Sequence, residues 1–355
     1  MMRPGLLSRF FVSGALRLFL PFDPLAAMKR AWNRGIIRAL MLILRGLNSP
    51  DQKPLALTIG NFDGVHLGHQ ALLQQLRQAA QARGLETAVM IFEPHPREFF
   101  TPQQAPTRLT SLREKMELFR ELGIDRVQVC RFTRAFARMP AEDFIHALHE
   151  KLAAKYVLIG DDFRFGSGRS GDFALMEKFG SQHGFEVEAM HSVLHHDVRI
   201  SSTAVRDALA HGKLHVAEQY LGRAYSISGH VEHGNKTGRR LGFPTANIQL
   251  RHNRPPVSGI FVVRVRIEGG EWLRGAASLG VRPTVATNGR PVLEVYLLDF
   301  EQDIYGKHLH VEFLHKLRDE ARFPDLQSLT QQIALDVEQT RQWFEKEYGR
   351  QQISA

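Results

Sequence analysis

Two histidines three positions apart, His66 and His69, close a glycine-rich stretch with the sequence GNFDGVHLGH at residues 60–69. The stretch stands where an apolar, strand-like run passes into a pattern typical of an amphipathic helix. At such a junction the free backbone N–H groups and the positive end of the helix favour a polyphosphate, and glycines let it come close. The imidazoles add hydrogen-bond donors that can stabilise charge on a reacting phosphate.

We predict a nucleotide site with His66 and His69 as catalytic residues and phosphate contacts from Gly60, Asn61, Phe62, Asp63, Gly64 and Gly68. Half of a metal site is the alternative for the histidine pair.

A second candidate phosphate motif is the sequence ISSTAVR at residues 200–206. Ser201, Ser202 and Thr203 stand at the start of a predicted helix, and Arg206 follows one turn later. Taken alone, the segment would more often be an ordinary helix cap. Paired with the histidine motif in one alternating α/β domain, it predicts that the hydroxyls and the forked guanidinium bind a triphosphate.

A third candidate lies in the second half of the chain, in the sequence GNKTGRRLGFPTAN at residues 234–247. A loop rich in glycine and arginine can wrap phosphates, and a threonine hydroxyl and an asparagine carbonyl are oxygen ligands suited to magnesium. An ordinary basic hairpin turn is the alternative. Downstream, Glu294 lies in a strand-like run at residues 293–300, where a lone glutamate would usually face solvent.

Together these motifs resemble those of the prokaryotic bifunctional riboflavin kinase/FAD synthetase family. Residues 66–69 and 200–206 are similar to the HxGH and ISSTxxR signatures of nucleotidylyltransferases, and residues 234–247 resemble the flavokinase phosphate loop with its PTAN motif. The resemblance covers about residues 41–348. It implies ATP-dependent phosphorylation of riboflavin to FMN, followed by adenylylation of FMN to FAD with release of pyrophosphate.

The resemblance also implies roles for individual residues. Glu294 would be the base for the riboflavin hydroxyl, with Thr245 and Asn247 as ligands of Mg²⁺. ATP binding in the second half would fall to Gly234, Lys236, Gly238, Arg239 and Pro244. Flavin binding would fall to His95, Asp162, Phe163, Arg164, Phe165 and Arg318.

The elements that must position these residues follow two patterns. From Leu55 to Gly222, strand-like runs alternate with helical ones, which requires crossover connections and predicts a Rossmann-like, doubly wound parallel sheet. After residue 223, short alternating runs separated by Gly, Pro and Asn turns predict an antiparallel β-barrel, closed by a helix at residues 326–348. We therefore predict an FMN adenylyltransferase domain at residues 51–222 and a riboflavin kinase domain at residues 223–350.

The positive charge is concentrated at the start of the chain. The 355 residues carry a net charge of +9, of which residues 1–50 contribute +7 through eight basic residues and one acid. The basic pI therefore describes this leader, and it does not predict a nucleic-acid partner. We expect residues 1–50 to be an over-long start or a disordered segment, with Met41 or Met28 as the working initiator. A targeting peptide or an amphipathic surface helix is the alternative.

The cysteine content and the apolar runs indicate the compartment and the partners of the protein. The one cysteine, Cys130, excludes an internal disulfide framework and any multi-cysteine metal site, and it fits the reducing cytoplasm. No run reaches the ~18 apolar residues of a membrane span, so we expect no membrane partner for residues 51–355. We expect riboflavin, FMN and ATP as partners, with at most weak self-association. Residues 166–171 satisfy G-x-G-x-x-G, but they begin six residues after the predicted strand end at Gly160, so a dinucleotide turn is not expected there.

Two other functions remain open on the sequence alone. The chain could be a nucleotidylyltransferase for another small phosphorylated substrate with an unrelated barrel attached, which the PTAN loop and Glu294 argue against. It could also be a non-catalytic flavin-binding or RNA-binding regulator, which would have no need of both histidines, Thr245, Asn247 and Glu294 together.

Overall fold

The structure is a computed structural model that describes residues 41–190, 194–195, 198–234, 237–250, 254–281 and 291–353. The described residues, which begin at Met41, form one compact unit. The expectations for a leader over residues 1–40 and for Lys236 therefore lie outside the described residues. Among the helices that are described, none is long and apolar enough to span a bilayer.

The first half of the compact unit is built on a parallel sheet of six strands in the order β1-β4-β3-β2-β5-β6. Every pair of neighbours in this sheet is parallel. The strands are β1 (Leu42–Arg45), β2 (Leu55–Ile59), β3 (Glu86–Glu93), β4 (Arg126–Arg131), β5 (Ala154–Gly160) and β6 (Glu186–Met190). The predicted doubly wound sheet is confirmed, and its strand order reverses between β2 and β5.

Helices cross between the strands, as parallel pairing demands. The crossing helices are α1 (Leu67–Arg83), α2 (Pro96–Phe100), α3 (Leu112–Glu121), α4 (Arg134–Ala137), α5 (Ala141–His146) and α6 (Phe173–His183), and two more, α7 (Ser202–Ala210) and α8 (Leu214–Leu221), follow the last strand of the sheet. A capping box begins α3, where Ser111 Oγ accepts from Glu114 N and the Glu114 carboxylate accepts from Ser111 N. A short antiparallel pair, β7 (Leu194–His195) and β8 (Val198–Arg199), precedes α7.

The second half is a closed antiparallel barrel of six strands in the order β10-β13-β12-β11-β14-β9. The strands are β9 (Tyr225–Glu232), β10 (Thr245–Ile248), β11 (Gly259–Ile267), β12 (Trp272–Val281), β13 (Pro291–Leu297) and β14 (His308–Arg318). A short helix, α9 (Thr237–Arg240), precedes β10, and the long helix α10 (Leu326–Ile353) follows the barrel. The predicted barrel and closing helix are thus confirmed.

One apolar cluster joins the two halves. It combines Leu109, Val205 and Leu209 from the sheet domain with barrel residues such as Ile227 and Phe261, all buried. The barrel is therefore packed against the sheet domain within one core.

Two strands of the parallel sheet and the barrel were not predicted, and neither was the short pair β7 and β8. The expectation that the first strand begins at Leu55 is wrong, because Leu42–Arg45 pairs in parallel with Arg126–Val129 at the edge of the sheet. The leader predicted for residues 1–50 therefore extends too far, because it includes this strand. The segment reads as a basic, leucine-rich leader because nothing local marks a strand whose partner lies about 80 residues away. The second is β10, which lies within the PTAN motif that reads as a loop.

Candidate active sites

The two phosphate motifs of the sheet domain meet at a pocket of about 900 Å³. Residues beyond the carboxyl ends of β2 and β5 line it, at the point of strand-order reversal where open α/β sheets bind ligands. The sequence-predicted residues that line it are Gly60, Asn61, Phe62, Asp63, His66, Gly68, His69, His95, Asp162, Phe163, Arg164, Phe165, Ser201, Ser202, Thr203 and Arg206. Gly64 lies behind the pocket, where an added Cβ would come 2.7 Å from a methyl carbon of Leu109.

The two histidines form a stacked pair at the start of α1. Their ring centroids are 3.7 Å apart, and His66 Nδ1 accepts a hydrogen bond from His69 N at 3.3 Å. Burial lowers the pKa of His66 to about 4 and holds that of His69 well below its usual range. Both rings are therefore neutral near pH 7, so they can donate hydrogen bonds but supply no positive charge.

Two polar atoms in this region are buried without a protein partner. Within the described chain, His69 Nδ1 and Asn61 Oδ1 have no hydrogen-bond partner. Unpaired buried polar atoms are rare and expensive, and both residues line the pocket. These atoms mark a place where a polar ligand can complete the hydrogen bonding.

Asp63 organises the loop before the histidines. It is 4% exposed, and its carboxylate accepts from the backbone N–H groups of Leu109 and Thr110 at 3.0 and 3.1 Å and from Arg206 Nη2 at 2.6 Å. Burial raises the pKa of Asp63, but the positive charges of Lys115 and Arg206 and these donors outweigh it and keep the pKa below its usual value. The carboxylate thus contacts protein donors, and the phosphate contact assigned to Asp63 stays a prediction.

Arg206 is held in place at the pocket wall. Its Nε donates to Thr107 O at 2.6 Å and its Nη2 to Asp63. Ser201 caps α7 by accepting from Ala204 N, and Ser202 Oγ donates to Asp63 O at 2.9 Å. The serine-threonine motif therefore has both the capping role and a place at the pocket.

Sequence reasoning missed Lys115. This residue lies in α3 and is 4% exposed, and its Nζ donates to Asn61 O at 3.1 Å. Burial lowers its pKa, although the nearby Asp63 carboxylate opposes the shift. A lysine in an amphipathic helix normally reads as a solvated residue, so no local signal indicated its contact with the loop.

An aromatic wall also lines the pocket. It includes the predicted residues Phe163 and Phe165, whereas Phe132 and Phe136 were missed. Phe132 packs edge-on or tilted against the rings of Phe92 and Phe136 at centroid distances of 5.9 and 5.6 Å. Phe163 and Phe165 stack at 5.6 Å. All five line the pocket and provide a surface suited to a flat aromatic ligand.

The remaining flavin candidates of the sheet domain are placed at the rim. His95 caps α2 by accepting from Arg97 N, and burial lowers its pKa to about 4. Asp162 is paired with Arg199 at 2.8 Å, and Arg164 donates to Phe163 O. All three predicted residues therefore lie at the pocket, and their flavin contacts stay predictions.

A second candidate site lies on the barrel. Ala246 and Ile248 of β10 are buried, whereas Thr245 and Asn247 alternate with them and are partly exposed. Asn247 stands directly across from Glu294 of β13 in the antiparallel register. Directly opposed residues have Cβ atoms about 4.5–5.5 Å apart, so the two polar side chains start from neighbouring positions. The strand register thus brings together Asn247 and Glu294, which were predicted from separate segments.

The predicted phosphate loop packs onto these strand residues. A Cβ added to Gly234 would collide with the side chain of Asn247, and one added to Gly238 would collide with Phe243 O and come 3.1 Å from Thr245 Oγ1. Only glycine permits this approach of the loop backbone. Arg239, at the end of α9, and Pro244, directly before β10, are both exposed.

Arg318 binds a residue of the closing helix. Its guanidinium makes two hydrogen bonds to Asp336 of α10, from Nε at 2.8 Å and from Nη2 at 2.6 Å. This pair fastens the closing helix to the end of β14. A flavin contact for Arg318 stays a prediction.

Thr245 and Asn247 carry hydroxyl and amide oxygens, which are ligands that suit a hard divalent cation such as Mg²⁺, and the glycine backbone of the loop lies directly against both residues. Among the described residues, no cluster of three or more His, Cys, Asp or Glu side chains is arranged to hold a metal ion. That finding gives no support to the alternative that His66 and His69 are half of a metal site.

Two family models match the chain. Residues 48–204 match the FAD synthetase model and residues 221–344 match the riboflavin kinase model. The matches fall on the sheet domain and on the barrel with most of α10.

Curated proteins that resemble the chain do so over nearly their whole length. A bifunctional riboflavin kinase/FMN adenylyltransferase from Escherichia coli strain K12 is 48% identical over 308 residues, which cover 86% of this chain and 98% of that protein. The protein of the same description from Haemophilus influenzae is 47% identical and covers 86% and 99%.

A solved structure shares the fold. A chain described as a macrolide-efflux protein from Streptococcus pneumoniae superposes with a TM-score of 0.71 at 29% identity, and the match covers 85% of this chain and 100% of that one. The likeness supports the arrangement of parallel sheet and barrel in one chain.

Proposed function

Because the chain belongs to the bifunctional riboflavin kinase/FMN adenylyltransferase family, we propose that it makes FMN from riboflavin at the barrel and FAD from FMN at the sheet domain. ATP is a substrate of both reactions. The observation that carries the proposal is the agreement between the two family models and two separate candidate sites, one within each matched segment.

At the sheet domain, a phosphate oxygen of FMN attacks the α-phosphorus of ATP. A new P–O bond forms, the bond to the bridging oxygen of the β-phosphate breaks, and pyrophosphate leaves. The nucleophile is already an anion, so this step needs charge stabilisation rather than a base. The neutral imidazoles of His66 and His69 act as hydrogen-bond donors to the α-phosphate as charge develops on it.

The surroundings of the histidine pair support this assignment. Arg206 and the hydroxyls of Ser202 and Thr203 hold the departing β- and γ-phosphates at the start of α7, where the helix dipole favours anions. The buried positive charge of Lys115 lies beneath the same loop. The aromatic wall of Phe92, Phe132 and Phe136 receives the flavin ring system.

At the barrel, the 5'-hydroxyl oxygen of riboflavin attacks the γ-phosphorus of a second ATP. Glu294 takes the hydroxyl proton, the bond between the γ-phosphorus and the bridging oxygen breaks, and ADP leaves. The loop with Gly234 and Gly238 lies close enough to β10 to carry the phosphates next to Asn247 and Glu294. Phosphoryl transfer depends mainly on positioning and electrostatic stabilisation, so the loop should matter as much as the base.

Thr245 and Asn247 would hold Mg²⁺ together with the ATP phosphates. When bound there, the ion supplies positive charge that offsets the charge on the transferred phosphoryl group. The lone, buried Cys130 supports a reducing compartment such as the cytoplasm as the setting of both reactions.

Product analysis tests the proposal. The purified full chain is incubated with riboflavin, ATP and magnesium, and the flavins are separated by chromatography at successive times. We expect FMN to appear first and FAD to follow, and FMN supplied directly should also be converted to FAD. A chain that binds flavin or RNA but forms neither product would overturn the proposal in favour of a regulator.

A further inference from the structure

The junction between the two domains packs directly against the loop that carries His66. Helix α8 ends at Leu221, and Gly222 follows in a left-handed conformation with φ of 70°. A Cβ added to Gly222 would come 2.6 Å from a methyl carbon of Leu67, the first residue of α1. The connection to the barrel therefore touches the histidine motif itself.

Arg223, the next residue, donates hydrogen bonds to the backbone of this loop. Its Nη2 donates to Gly64 O at 2.7 Å, and its Nη1 donates to Val65 O at 3.1 Å and to Leu221 O at 3.2 Å. The Nε2 of Gln70 donates to the same carbonyls of Val65 and Leu221, at 2.9 and 2.8 Å. The guanidinium thus bridges the domain junction to the two residues before His66.

The loop needs such support because its backbone is strained. Phe62 and Val65 have φ values of 48° and 40°, in the left-handed region that side chains with a Cβ rarely adopt. For a β-branched residue such as Val65 the conformation is a genuine outlier, and it persists only where the surroundings hold it. The carbonyl of Val65 is one of the two that Arg223 binds.

Carboxylates of both domains stabilise the charge of Arg223. Burial lowers its pKa to about 10, while the carboxylates of Glu121, Glu114 and Glu312 oppose the shift, so it remains charged at neutral pH. Glu114 also accepts a hydrogen bond from Ser228 N of β9 at 2.6 Å. Negative charges from both domains therefore surround the guanidinium.

We propose that Arg223 is a positioning residue for adenylyl transfer, one that fixes the strained turn at Gly64 and Val65 and so the placement of the His66 imidazole. The inference rests on the proposed function of the sheet domain. It assigns to a residue at the domain junction a role in the reaction of the sheet domain, although Arg223 does not line the pocket.

The test uses the full-length protein with two variants. Arg223→Met keeps an unbranched apolar stem and removes the guanidinium donors, and Arg223→Lys keeps the charge but not the forked donors. We expect Arg223→Met to lower kcat for FAD formation about 10- to 100-fold, with KM for ATP within about threefold. Arg223→Lys should recover part of the loss. FMN formation, measured in the same preparations, should stay within twofold and reports that each variant is folded.

Arg254→Met is the matched control, because Arg254 also donates across the domain boundary, to Ala105 O at 3.1 Å, but not to the loop. It should leave FAD formation within twofold. The inference is overturned if Arg223→Met keeps FAD formation within twofold of the wild type, or if FMN and FAD formation fall together in both Arg223 variants. Absence of FAD formation in the wild-type chain would instead refute the proposed function.

Discussion

The imidazole rings of His66 and His69 lie almost parallel, with 16° between their planes and 3.7 Å between their centroids. Since Nδ1 of His66 accepts from His69 N, the proton of the neutral ring is on Nε2. A proton on either ring would place a charge in a buried site against its neighbour, and burial already lowers both pKa values. The pair is therefore built to work in its neutral form.

His69→Ala should lower FAD formation by a factor of about 10²–10³ and leave FMN formation intact. The variant removes one of two donors in a buried site, and loss of one such donor typically costs about 10²–10³ in kcat. Both products are measured by chromatography with riboflavin or FMN as the starting flavin. Equal loss of both products in a folded variant would contradict two separable sites.

Protonation of His66 should inhibit FAD formation only below about pH 5. Because the pKa of His66 is lowered to about 4, its neutral form predominates throughout the neutral range, and kcat should show no inflection from this group between pH 6 and 8. The measurement is the pH profile of FAD formation from FMN. An inflection near pH 6.5 that His66→Gln removes would contradict the assignment of a neutral pair.

The lowered pKa of His66 also makes the stability of the protein depend on pH. An unfolded histidine titrates near its ordinary value of 6.5 and folded His66 near 4, so between these values the unfolded chain binds more protons. The free energy of unfolding should therefore decrease as the pH falls from 6.5 to 4. Urea denaturation of the wild type and of His66→Gln over this pH range isolates the contribution of His66. The decrease in the free energy of unfolding should be smaller in the variant.

The sequence allowed the prediction of elements whose signals are local. The alternation of strands and helices and the short runs of the barrel each depend on residues within a few positions of one another. Strand β1 has no such signal, because its pairing partner is β4, and β10 is a four-residue strand inside a glycine- and proline-containing motif. Elements specified by tertiary pairing were the ones missed.

The candidate sites divide in the same way. His66, Ser202 and Thr245 belong to motifs with recognisable spacing, and the strand register that sets Asn247 opposite Glu294 was not needed to select them. Lys115 and Arg223 belong to no recognisable motif. Each contacts the loop at residues 60–66 from a distant part of the chain. Their contacts depend on how helix α3 and the domain junction pack, which periodicity does not encode.

Glu294→Gln should reverse the pattern expected for His69→Ala. The amide cannot take the proton of the riboflavin hydroxyl, and loss of a general base typically costs about 10²–10⁴ in rate. FMN formation should therefore fall by this factor, while FAD formation from added FMN should be unchanged. The two variants serve as controls for each other, and near-wild-type FMN formation by Glu294→Gln would reject the base.

The two arginine–aspartate pairs that join α10 to the barrel should differ in strength. Arg318 binds Asp336, whose side chain is 6% exposed, whereas Arg341 binds Asp299, whose side chain is 55% exposed. Breaking a buried pair leaves a charge without a partner and costs about 3 kcal/mol or more, but exposed pairs contribute little. Asp336→Ala should therefore lower the free energy of unfolding far more than Asp299→Ala.

Urea denaturation followed by tryptophan fluorescence measures this difference, because Trp343 lies in α10 and Trp272 in the barrel. The KM for riboflavin in FMN formation by folded Asp336→Ala then distinguishes two roles of Arg318, binding α10 and contacting the flavin. If Arg318 only fastens α10, the variant should keep its KM for riboflavin in the folded state. If the guanidinium also contacts the flavin, as the family resemblance implies, its release from Asp336 should change that KM, and Arg318→Met should change it in the direction of weaker binding.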